Sequence, residues 1–306
     1  MKQSIITFLF IFIGLNTNSQ EVTASRGSVE RFTDFKSEYV ASRNIDVWLP
    51  DGYLPNGKYA VLYMHDGQML YDASTTWNKQ AWEVDEVANT LIVEEKTQKF
   101  IVVGIWNNGE KRHSEYFPQK PYESLTQIQR DTLSTQLQKA GRSKGEFIPF
   151  SDLYLKFIVT ELKPFIDKEF STKTDAAHTF IAGSSMGGLI SMYAICEYPE
   201  VFGGGACIST HWPGTMQSEN NPIPDAFIKY LKVHLPSQEN HKIYFDCGDQ
   251  TLDSTYKPLQ DKVDLVMKEK GFNSRNWMTR FFPGKEHSEN AWHERLDIPL
   301  EFLLKK

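Results

Sequence analysis

The hydrophobic positions change period along the chain, and the changes mark its elements. Residues 29–41 alternate weakly around scattered aromatics, as a leading antiparallel strand would. Residues 44–49 alternate more cleanly, with Ile45, Val47 and Leu49 on one side, and Pro50, Asp51 and Gly52 close them as a turn. Residues 59–64 and 100–106 are unbroken apolar runs, the kind a parallel sheet buries on both faces. Between them, 80–95 repeats Val84, Val87, Ala88, Leu91 and Ile92 at helical spacing. Residues 107–150 break the rhythm. They are polar and mixed in charge, with Pro118 and Pro121, and so long a stretch without an apolar stripe predicts a weakly structured lid or binding loop.

The rhythm then resumes as strand and helix in turn. Ser151 caps a helix to about Asp167, with Tyr154, Phe157, Ile158 and Leu162 inward. A short buried strand at 177–182 leads into a helix carrying Met186, Leu189, Ile190, Tyr193 and Ala194, with Pro199 beyond its end. Strand 203–209, helix 224–235, strand 242–247, a helix ended by Gly271, strand 277–283 and a C-terminal helix after His287 complete the order. This alternation predicts an α/β fold: a mostly parallel sheet of about eight strands with helices on both faces. In such sheets, sites form outside the carboxyl ends of the strands.

Composition changes this picture little. The chain has 306 residues, 40% hydrophobic and 24% charged, enough for a full core in one large domain. A net charge of -6 and the lack of a Lys/Arg cluster argue against nucleic acid as a partner. The N-terminus does change it. A basic start at Lys2, an apolar run from Ile5 to Leu15 and small polar residues to Ser19 have the layout of a secretory signal, too short for a good membrane span. The expectation is therefore a signal at 1–19, cleavage near Ser19, one domain over 20–306, and export to the periplasm or medium without a membrane span. Cys196, Cys207 and Cys247 are odd in number and lie in apolar surroundings, which predicts buried, inert thiols.

Candidate chemistry centres on Gly183, Ser184, Ser185, Met186 and Gly187. They form G-x-S-x-G between a predicted strand and a predicted helix, the context of a nucleophile elbow. A serine on that turn needs a base within reach and a group to orient the base. Among the later histidines, His211 precedes every acid candidate, His234 and His241 flank a connection at the wrong end of the sheet, and His293 lies beyond the last strand's loop. His287, in the loop leaving the last predicted strand, is the expected base. Asp249 and Asp253 both follow the strand 242–247. Asp253 is preferred because a catalytic acid must reach the far side of the histidine ring, and Asp249 stands as the alternative. The oxyanion donors are expected to be the N–H groups of Met186 and Gln68.

His65, Asp66, Gly67 and Gln68, the Gly183–Gly188 stretch, Thr251, Leu252 and Asp253, and the run from Gly284 to Trp292 together resemble the esterase-D-like esterase family of α/β-hydrolases. That group includes S-formylglutathione hydrolases, feruloyl and acetylxylan esterases, and siderophore esterases. The resemblance spans about residue 30 to the C-terminus. It implies an α/β-hydrolase fold, a serine esterase mechanism without cofactor, and a small-molecule or glycan ester as substrate. Members with Gly-x-x-Asp after the acid strand differ from this chain, where the position three beyond Gly248 is Thr251; the choice between Asp249 and Asp253 stays open on that ground. Trp212 and Arg112 are the expected substrate contacts, with Trp77, Trp82, Glu115 and Tyr116 weighed beside them as packing or solvated residues. No spacing of His, Cys or acidic residues suggests a metal, and no glycine loop suggests a phosphate cradle.

Overall fold

The computed structural model describes residues 23–217 and 220–306; the expected signal segment at 1–19 lies outside the described residues. Eight strands form one sheet: β1 (Ser28–Phe35), β2 (Arg43–Leu49), β3 (Ala60–His65), β4 (Phe100–Ile105), β5 (Thr179–Ser184), β6 (Gly204–Ile208), β7 (Lys242–Cys247) and β8 (Trp277–Phe281). Their order across the sheet is β1-β2-β4-β3-β5-β6-β7-β8. Strand β2 runs antiparallel to both neighbours, and every other pair from β4 onward is parallel. This is the α/β-hydrolase sheet.

The unbroken apolar runs fill both faces because side chains alternate along a strand. In β4, Ile101, Val103 and Ile105 join one core, while Phe100 and Val102 join the other. In β3, Val61 and Tyr63 face the first core, and Ala60, Leu62 and Met64 the second. The second core is covered by α1 (Val84–Val93) through Val84, Ala88 and Leu91, together with the C-terminal residues Leu300, Leu303 and Leu304.

Residues 107–150 are not a weakly structured loop. They form α2 (Arg112–Tyr116), α3 (Gln119–Glu123) and α4 (Gln127–Lys139) and bury Tyr116, Phe117, Leu133, Leu137 and Phe147 in the first core. Two of the helices are short, and the apolar residues of all three are sparse, so no helical stripe stands out in the sequence. Thr126 opens α4 with a capping box closed by Gln129, which turns the chain sharply into the helix. A buried ion pair fastens the segment to the sheet: Arg43 Nη2 of β2 lies 2.6 Å from Glu115 Oε1 of α2. The helix expected from Ser151 is α5 (Ser151–Phe157), a π-helical turn over Ile158–Leu162, and α6 (Lys163–Glu169). Then come α7 (Met186–Glu197), α8 (Ile223–His234), α9 (Lys257–Glu269), α10 (Glu289–His293) and α11 (Asp297–Leu304). No described helix is long and apolar enough to cross a membrane. All three cysteines are buried and unpaired.

Candidate active site

The site lies at the carboxyl ends of β3, β5, β6 and β7. Ser185 stands between β5 and α7 with φ 57° and ψ −120°, a backbone conformation that costs a non-glycine residue energy. Its N–H donates to Ile208 O at 2.9 Å, and its carbonyl accepts the His211 N–H at 3.1 Å, so the end of β6 holds the turn in place. A methyl group at Gly183 would lie 2.8 Å from the Gly187 backbone, so the strand and helix can cross this closely only without it. Ser185 is the one residue between 181 and 190 that is not buried. The elbow therefore presents its hydroxyl and little else.

His287 sits in the loop between β8 and α10. Its Nδ1–H donates to Asp253 Oδ1 at 2.6 Å, and its backbone N–H donates to Thr251 Oγ1 at 2.9 Å. Two aromatic edges fix the ring: Tyr256 at 5.7 Å and 88°, and Trp292 at 5.0 Å and 81°. Asp253 is in the 3-10 turn Thr251–Thr255 after β7 and is fully buried. It also accepts from Gly248 N–H at 2.6 Å and from Ser209 Oγ–H at 2.6 Å. Burial pushes its carboxyl up, but the hydrogen bonds and charge of His287, with Ser209 and Gly248, outweigh burial and hold it below the usual range. Asp249 takes a different place. It accepts the Gly284 N–H at 2.7 Å and shapes the loop that carries His287. Of the two acids left open by the sequence, Asp253 is the one that meets the histidine.

Met186 begins α7, where the N–H groups of the first turn have no partner inside the helix. Gln68 lies in the 3-10 turn Gly67–Met69 after β3, entered through Asp66 at φ 58°. A methyl group at Gly67 would lie 2.6 Å from the Gly104 backbone, so this turn is pressed against β4. The Gln68 side-chain oxygen accepts the Asn107 N–H at 3.2 Å, which ties the turn to the start of the inserted segment.

Arg112 is engaged by the protein itself. Its Nε and Nη2 reach Asp66 Oδ1 and Oδ2 at 2.7 and 2.6 Å, and its guanidinium lies 5.0 Å from the centre of the Tyr116 ring. Burial raises the Asp66 carboxyl, yet Arg112 and the Asn107 amide pull it below its ordinary value, so the pair is ionised on both sides. Glu115 is committed to Arg43, and the Tyr116 hydroxyl accepts the Asp66 N–H at 3.3 Å.

Trp212 corrects the sequence reading. It is 2% exposed, its indole N–H donates to Gln260 Oε1 at 2.9 Å, and its ring packs on Phe245 at 6.0 Å. Beyond Ser209, whose φ is 40°, it is the His211 N–H that bonds the serine turn, while the Trp212 N–H bonds Thr210 O at 2.8 Å. Trp82 packs on Trp292 at 5.3 Å, whereas Trp77 is 83% exposed. The neighbouring Asn78 donates to Glu289 Oε2 at 2.8 Å, which sets this exposed tryptophan near the loop that carries His287.

Three groups at the site, Tyr256, Ser209 and Arg295, gave no signal in the sequence pattern, and a fourth, His211, was weighed only as the base. Tyr256, 1% exposed, has its hydroxyl 2.5 Å from His211 Nδ1 and in side-chain contact with Ser185. It lies three residues beyond Asp253, so one turn supplies both. Burial drives His211 far below its ordinary value, which leaves the ring neutral. Ser209 and Arg295 form the surroundings of Asp253 and are taken up below. Among the described residues, no group of three or more His, Cys, Asp or Glu could hold a metal ion.

A half-buried serine on a strand–helix elbow, a histidine held by a buried carboxylate and unpaired N–H groups at a helix start together define a hydrolase-type α/β site. The chain belongs to the family described as Putative esterase, whose model matches residues 38–298. It is 28% identical over 224 residues to an endo-1,4-beta-xylanase/feruloyl esterase of Xylanibacter ruminicola, a match covering 71% of this chain. The match spans 26% of that relative's length, about a quarter of it. An uncharacterised Bacillus subtilis protein, YbbA, is 25% identical over 283 residues, covering 88% of this chain and 96% of YbbA. Among solved structures, a ferulic acid esterase aligns with a TM-score of 0.63 at 20% identity, covering 91% of this chain and 98% of its own. An IroE-like serine hydrolase from Shewanella oneidensis aligns with a TM-score of 0.64 at 16% identity, covering 90% and 80%. These structural likenesses bear on the fold.

Proposed function

We propose that this chain is an exported serine carboxylic-ester hydrolase that removes an acyl group, acetyl or feruloyl, from a carbohydrate or plant phenolic ester. The observation that carries the reading is the His287–Asp253 hydrogen bond of 2.6 Å beside the Ser185 elbow. Ser185 Oγ attacks the ester carbonyl. His287 Nε2 takes its proton, and Asp253 keeps the ring in the Nδ1–H tautomer and balances the charge that forms on it. The N–H groups of Met186 and Gln68 bind the oxyanion, helped by the positive end of α7. His287 then protonates the leaving alcohol, and water, activated by the same histidine, releases the acid from the acyl-enzyme.

A neutral acyl group is favoured over the polyanionic catecholate of a siderophore trilactone. The one arginine expected to receive such an anion, Arg112, is already neutralised by Asp66. A binding protein on the same fold would have no use for the strained serine turn or for a carboxylate buried against a histidine. Export rests on the N-terminal pattern and predicts a mature chain starting near Gln20 when the protein is recovered outside the cytoplasm. The substrate class is tested by comparing kcat/KM for p-nitrophenyl acetate, methyl ferulate and a catecholate trilactone. The reading expects turnover of at least one of the first two and a preference for it over the trilactone; the reverse preference contradicts it.

A further inference from the structure

Ser209 is fully buried between the carboxylates of Asp246 and Asp253. Its backbone N–H donates to Asp246 Oδ1 at 3.0 Å, and its Oγ lies 2.6 Å from Asp253 Oδ2. Two more groups reach the same Oγ: Trp292 Nε1 at 3.0 Å and Arg295 Nη2 at 3.0 Å. An indole N–H and a guanidinium can only donate. They occupy the lone pairs of the hydroxyl and leave its proton a single direction, toward Asp253. Arg295 is itself anchored on Asp246, with Nε and Nη2 at 3.2 and 3.1 Å from its two oxygens. Tyr244 Oη donates to the same carboxylate at 3.0 Å. Ser209 bridges the two carboxylates, one by its backbone N–H and one by its side chain, with its backbone at φ 40°. That strained backbone sits beside the carboxylate that holds His287.

We propose that Ser209 is the positioning residue of the catalytic acid: its hydroxyl, aimed by Trp292 and Arg295, locks the Asp253 carboxylate in the orientation that meets His287. The inference rests on the serine-esterase reading. Asp253 then has three donors, His287 Nδ1–H, Gly248 N–H and Ser209 O–H, which share its two oxygens and keep Oδ1 for the histidine. The charged or titratable groups around this pair are Asp246, Cys247 and Tyr244 from β7, Arg295 beyond α10, Tyr256 from the turn of Asp253, and His211 after β6.

Without the Ser209 donor the carboxylate charge is less spread and binds a protonated imidazole more tightly. The neutral base then appears only at higher pH, so the acid limb of the kcat/KM profile moves upward. The test is that profile for p-nitrophenyl acetate, measured on Ser209→Ala and Ser209→Gly. Glycine suits the positive φ, so the second variant keeps the backbone even if the first fails to fold. The expected result is a plateau lowered about tenfold or more, because the base is no longer held in register. With it comes an acid limb moved up by roughly half a pH unit or more. Folded variants with an unmoved limb overturn the proposal, whether or not the plateau falls, since a merely structural loss lowers the rate without shifting the limb. Failure of the underlying reading shows separately, as turnover retained by Ser185→Ala.

Discussion

Asp253 and Asp249 are four residues apart and both leave β7, yet they do different work. The first is fully buried and hydrogen-bonded to His287; the second caps the Gly284 turn. Replacing each by asparagine separates them. Asp253→Asn keeps the shape but offers a donor where the histidine needs an acceptor, and kcat should fall about a thousandfold to ten-thousandfold. Asp249→Asn should change kcat less than about threefold, as a substitution at a loop residue away from the reacting atoms. Steady-state kinetics on both variants checks this, and comparable losses would contradict the assignment. The placement of Ser185 on a strand–helix turn and of His287 in the loop after β8 was legible in the sequence, because a short motif and a loop position carry them. Asp253 was only half legible, since Thr251 interrupts the family spacing and only the three-dimensional turn shows which carboxylate reaches the ring. Trp212 misled because residue type and strand position do not encode its burial against Phe245 and Gln260.

At the scale of elements, strands were the easier reading. Both-face burial writes itself as unbroken runs of apolar residues, as in β3 and β4, and alternation marks the antiparallel β2. The inserted helices α2 to α4 were not legible, because helices that bury one to three residues each leave no stripe. What fastens them is also invisible in sequence: Arg43 and Glu115 are 72 positions apart and both almost fully buried. Glu115→Ala should strand the Arg43 cation in the core and lower stability by about 3–5 kcal/mol. Adding Arg43→Met should restore much of that loss, since a buried pair replaced by apolar residues costs little. Urea unfolding of the two variants reads this directly; equal stabilities would show that the pair is not what holds the insertion.

For the whole molecule, buried neutral histidines set the response to acid. Burial lowers His65 and His113 to about 3 from their ordinary 6.5, and holds His211 well below that ordinary value too. An unfolded chain takes up protons at these positions as pH falls through 6.5, while the folded chain refuses them until far lower. Stability is therefore greatest above pH 6.5 and declines below it, by about 1.4 kcal/mol per pH unit for each histidine in the steep part. Asp253 and Asp66 are held below their ordinary 3.8, so their contribution persists above that value and is lost only beneath it. Asp246 and Asp85 are raised by burial and act with the opposite sign. Denaturant midpoints should fall steadily from pH 7 to pH 5, before the ordinary carboxylate range is reached; a flat profile would contradict the burial of these rings.

Ser185, on its strained turn, is the proposed nucleophile of an ester hydrolase. The most direct test of that role is the hydrolysis of p-nitrophenyl acetate and methyl ferulate by the mature protein with Ser185→Ala beside it. The native chain is expected to turn over at least one ester, and the variant to lose about a millionfold with its unfolding transition unchanged. A folded Ser185→Ala that retains the native rate would contradict it.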